Sequence, residues 1–166
     1  MPAIQDFRKE TMTEQGSVCD FLSQAYTRLR DADLSGASSC LDGALSADFD
    51  NAEVLFAMAC AVWWKEKLGR TAGSSSPFER GEYILSQWKG FLVFQNRSTE
   101  EFEAARYAFK RFSFVSALRE FQSLSTEEAE AWEPELSLRI GRCLKGAGDY
   151  EGAAAKLEAA ARGRKD

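Results

Sequence analysis

The stretch IGRCLKGAGDYEGAAAKLEAA at residues 140–160 decides the fold. Ile140, Gly141 and Leu144 recur at helical spacing. Gly146-Ala147-Gly148-Asp149 then supplies a stop and a new cap, and Ala153, Leu157 and Ala160 resume the period. The small residue of the first helix, Gly141, lies 12 positions before that of the second, Ala153. Two antiparallel helices pack closely where a small side chain lets their backbones approach and a larger one fills the adjoining groove.

The same offset of 12 joins Ala25 to Ala37 and Ala105 to Ala117. Ala59 heads a fourth first helix, Leu55-x2-Met58-Ala59-x2-Val62, whose partner Gly81-x3-Leu85-x2-Trp88 is delayed by the GRTAGSSS stretch at 69–76. The anchors Ala25, Ala59, Ala105 and Gly141 are separated by 34, 46 and 36 residues. Over residues 18–162 this pattern resembles the tetratricopeptide repeat (TPR) family, with its Leu-Gly-x2-Tyr and Ala-x3-Phe steps and period of about 34. The C-terminal unit carries the resemblance best. In the others Gln24, Arg28, Glu101 and Ala104 depart from the pattern, and Trp88 replaces a small residue.

The resemblance implies an all-α fold, a right-handed helical-hairpin solenoid of about four pairs. Its units are about 14–47, 51–95 with the inserted loop 69–76, 98–124 and 132–162, in one domain over 13–166 behind a weakly ordered leader at 1–12. Helix by helix, the pattern predicts 14–31, 34–47, 51–68, 77–95, 99–111, 113–124, 132–147 and 149–162. Ser76-Pro77-Phe78-Glu79, Ser98-Thr99-Glu100-Glu101 and Ser125-Thr126-Glu127-Glu128 have the Ser-x-x-Glu form of a helix start. No segment alternates with period 2, so no strand is expected.

Composition narrows the chemistry. The 166 residues contain no histidine, which removes Ser-His-Asp and Cys-His catalysis and His-ligated zinc. Cys19, Cys40, Cys60 and Cys143 form no C-x-x-C pair, so no metal or redox motif is expected, and the bland expectation is small core residues. Phosphate-loop and dinucleotide fingerprints are missing, so neither a cofactor nor an enzyme is expected. The net charge of −5 argues against a nucleic-acid partner. The longest apolar run, Val54 to Trp64, spans 11 residues, too few to cross a membrane. Residues 1–20 show no apolar signal core, and a cytoplasmic setting is expected.

What remains is a binding surface. TPR-like packing implies a concave groove lined by positions beside the small anchors. Tyr26, Phe56, Trp63, Phe102, Arg106, Phe109, Lys110, Arg142 and Lys145 are its candidates, with Leu22, Cys60 and Leu138. Their aromatic half and their basic half, in an acidic protein, suggest a protein or peptide partner with acidic character. Against this stand core packing for the aromatics and pairing of the cations with Glu101 and Glu103. Trp63 and Trp64 point about 100° apart, so one of them is expected outside the core. The alternative reading is a homo-oligomer assembled through the apolar terminal helix, with Ala154, Leu157 and Ala161 on the contact face.

Overall fold

A computed structural model describes residues 3–71, 73 and 76–164, with the backbone alone for 3–16. The described residues form eight helices and no strand, an all-α fold. They are α1 (Ala3–Arg30), α2 (Leu34–Ala47), α3 (Ala52–Gly69), α4 (Pro77–Gln95), α5 (Glu103–Gln122), α6 (Thr126–Trp132), α7 (Glu135–Ala147) and α8 (Tyr150–Gly163).

Short polar side chains set most starts by accepting an orphan backbone N–H. Asp33 accepts from Gly36 at 2.9 Å, Asn51 from Val54 at 3.1 Å and Asp149 from Gly152 at 2.9 Å. Ser76 accepts from Phe78 at 3.2 Å, with Pro77 at the first helical position. Gly148 ends α7 at φ +93°, a conformation other residues enter at a cost.

α1–α2 and α7–α8 are hairpins, as expected. At Gly141 an added Cβ would come within 2.9 Å of the Leu157 side chain, so the glycine is what lets α8 approach α7. The opening stretch therefore folds as its small-and-large pattern dictates.

The third unit needs correction. Residues expected to form two helices, 99–111 and 113–124, are one continuous helix, α5. No Gly or Pro interrupts 103–122, and the Ser113 hydroxyl donates to the Phe109 carbonyl within the helix at 2.7 Å. Twelve residues along one helix turn it by about 120°, so Ala105 and Ala117 face different neighbours. The Ser98 box starts no helix: α5 begins at Glu103, after Phe102 in a left-handed conformation (φ +35°). The Ser125 box does cap a helix, the short α6. Trp132 at its end stacks on Phe78 of α4, ring centroids 4.0 Å apart. α1 begins at Ala3, not near 14, so its backbone takes in most of the stretch expected as a leader. The side chains of that stretch, and residues 72, 74 and 75 of the expected loop insertion, lie outside the described residues.

α5 packs against α1, α3, α4 and α7, so contacts are not confined to successive pairs. Arg111 at its middle donates to two helix-end carbonyls, that of Arg30 closing α1 (3.3 Å) and that of Ala147 closing α7 (2.8 Å). A cation at helix C-termini also meets the negative ends of two helix dipoles. The core is aromatic. Trp64, Phe91, Phe109, Phe112 and Phe121 are fully buried, with Phe91 in ring contact with Trp63, Trp64, Trp88 and Phe109.

Candidate functional site

Three cations expected in the groove come together. Lys110 of α5 and Arg142 and Lys145 of α7 line one cleft of about 350 Å3 with Trp88, Phe114, Gly146 and Tyr150. Arg142 and Lys145 sit three apart on α7, hence on one face. Lys110 reaches the same space because α5 packs along α7. The Arg139 side chain, bonded to Glu82 of α4 and to Glu135 of its own helix, ties α7 to α4 beside this cleft.

The floor of the cleft is aromatic and built by close approach. An added Cβ at Gly146 would lie 2.3 Å from the Phe114 ring, so only glycine lets that ring lie against α7. Trp88 packs on Phe114 at 5.1 Å between centroids. Tyr150, 69% exposed, stands at the rim. No lining side chain is acidic. Lys110, Arg142 and Lys145 form no salt bridge among the described residues. Arg142 also lines an adjoining cleft of about 410 Å3 with Lys89, Leu85 and Ser86, where Glu82 is already engaged by Arg139.

The other expected groove residues lie elsewhere. Phe109 is fully buried and packs on Phe91, so it belongs to the core. Arg106 is spent on the α4–α5 connection. Its guanidinium donates to the carbonyls of Gln95, Glu100 and Glu101 and to Asn96 Oδ1, and lies 5.3 Å from the Phe56 ring centroid. Phe56 in turn packs on Phe102 at 5.3 Å, so these three hold the start of α5 against α3. Trp63 is half-buried against Phe91 and Phe94, with Lys67 Nζ 5.0 Å over its ring, while Trp64 is wholly in the core. Tyr26 is buried and donates its hydroxyl to Glu53 at 2.6 Å. Burial and that bond push its phenol far above the ordinary range.

On α8, Ala154 and Ala161 are exposed, but Leu157 is half-buried against Gly141. Tyr150 and Phe114 were missed as cleft residues. Tyr150 sits at a packing step of the repeat pattern, and Phe114 falls beside the expected break in α5. Phe114 follows Lys110 by four residues, a spacing that would have found it had α5 been read as continuous.

No helix among the described residues is long and apolar enough to cross a membrane. No protein-family model, curated protein or solved structure matches the chain.

Proposed function

We propose that the protein is a non-enzymatic interaction module whose cationic, aromatic-floored cleft receives an acidic segment of a protein partner. One observation carries this: Lys110, Arg142 and Lys145 converge on Trp88, Phe114 and Tyr150 with no acid among the lining side chains. Unneutralised cations around a desolvated aromatic floor favour carboxylates, and Arg and aromatic side chains dominate binding hot spots. In this reading the α1–α2 and α7–α8 hairpins are TPR-like units. Their small-to-large contacts, such as Gly141 on Leu157, support it.

The double variant Arg142→Glu/Lys145→Glu tests the proposal. Both positions are exposed and the helix is retained, so circular dichroism should not change. A fluorescent Glu- and Phe-containing peptide should bind the wild type in a salt-sensitive way and the variant about tenfold or more weakly. Equal affinities would sink the proposal.

A second reading, self-association, is supported by the exposed Ala154 and Ala161 on α8, which packs chiefly on α7. Light scattering over a concentration series should then show mass rising above the monomer, and a constant monomer removes this reading.

A further inference from the structure

Glu103, Tyr107 and Lys110 of α5 are all exposed. Seven residues carry an α-helix through almost two turns, so the three share one narrow face. That face has two ends of opposite character. Its C-terminal end, at Lys110, opens into the cationic cleft. Its N-terminal end opens into a second cleft of about 660 Å3, bounded by α1, the start of α3 and the start of α5. Leu22, Tyr26, Arg30, Glu53, Glu103 and Tyr107 are among the residues around it.

The sign of the charge is reversed there. Two carboxylates, Glu53 and Glu103, face one guanidinium, Arg30, whose Nη2 leans to Thr27 Oγ1 at 3.4 Å. The Tyr26 hydroxyl holds the Glu53 carboxylate at 2.6 Å. Tyr107, 56% exposed, offers its ring between the two ends. Carboxylates beside tyrosine rings are suited to an alkylammonium or guanidinium group, through ion pairing and cation–π attraction.

We infer that the acidic segment bound in the cationic cleft is bipolar: besides its carboxylates it carries a Lys or Arg that reaches Glu53 and Glu103. This rests on the proposed function of the cationic cleft. From Glu103 to Lys110 and Phe114 the helix rises roughly 10–16 Å. An extended peptide covers that span in about three to five residues. The spacing between the partner's acidic cluster and its cation is therefore set by the length of α5 between the two clefts. A segment with its charges in this arrangement meets its complement at both ends, whereas a purely acidic one leaves the Glu53–Glu103 end unanswered and faces its repulsion.

The test uses three labelled peptides on one neutral frame, each made in both chain directions. The first bears an acidic cluster alone. The second adds a Lys pair about four residues away, and the third places the pair roughly twice as far. Anisotropy titrations at low salt should show the second binding about fivefold tighter than the other two. Glu103→Gln, an exposed and nearly isosteric change, should remove that gain while leaving the acid-only peptide bound at least as tightly as before, since it also removes a repelling carboxylate. If the first and second peptides bind alike while Arg142→Glu/Lys145→Glu still weakens both, the bipolar inference is overturned and the cleft stands. A gain that survives Glu103→Gln also overturns it, because the cation is then read elsewhere. Failure of every acidic peptide to bind overturns both.

Discussion

Phe91→Ala is expected to lower the free energy of unfolding by about 3–5 kcal/mol, the range for deleting a buried phenylalanine ring. Phe91 is fully buried and lies in ring contact with Trp63, Trp64, Trp88 and Phe109, at centroid distances of 5.3, 5.3, 6.0 and 5.7 Å. These partners come from α3, α4 and α5, so the void left behind is walled by three helices that cannot all close on it. A domain of this size has about 5–15 kcal/mol in total, so the variant would keep little reserve. Urea unfolding followed by far-ultraviolet circular dichroism measures the loss. A second effect should accompany it: Trp88, freed on one side, is the residue that supports Phe114 in the cationic cleft. A loss below about 1 kcal/mol would mean that the aromatic cluster is not the centre of the core.

The second large effect is unfolding in alkali. Burial pushes the thiols of Cys60 and Cys143 up to about 12 from an ordinary 9.0, against the opposing pull of Arg106 and Arg142 respectively. The Tyr26 phenol is raised from 10.0 by burial and then by its bond to Glu53. The native protein keeps these protons where the unfolded chain releases them, so their contribution is complete below pH 9 and is lost as pH rises toward 12. Each such group removes up to about 1.4 kcal/mol per pH unit within its window. By about pH 11 the two thiols together remove on the order of 5 kcal/mol, comparable with the whole stability of a marginal domain. Denaturation midpoints measured at about pH 8 and about pH 11 should therefore differ sharply. The double variant Cys60→Ala/Cys143→Ala should show a shallower decline, and an unchanged slope would clear the thiols of responsibility.

Much of the fold could be read from punctuation. Ser76 and Asp149 each mark a start that the folded chain uses, because a capping side chain acts within three residues and needs no tertiary information. Ser98 shows the limit of the same rule. Its hydroxyl accepts from the Glu100 N–H in a turn that Arg106 then locks from one turn into α5. The break expected near residue 112 had a different origin. An offset of 12 between small residues is the same whether the chain turns back or runs on, and only the lack of a Gly or Pro separates the two cases.

The site was legible in its charges more than in its rings. Lys110, Arg142 and Lys145 point outward, because a cation without a buried partner has nowhere else to go. Phe109 follows the anchor Ala105 by four positions and so shares its buried side, which four packed helices turn into core. Arg106 could not be placed from sequence, since three of its four acceptors are backbone carbonyls that any residue would offer, Asn96 Oδ1 being the fourth.

The Arg111 contacts have a consequence for how the chain comes apart. A row of repeats held only by neighbours can fray from one end while the rest stays folded. Here one guanidinium joins carbonyls 81 and 36 residues away in the sequence, on either side of it. Loss of either terminal hairpin withdraws an acceptor from a half-buried charge in the middle of the molecule. Melting at one end is thereby communicated to the other, and the protein should behave as a single cooperative unit, with no register at which it can be shortened without penalty.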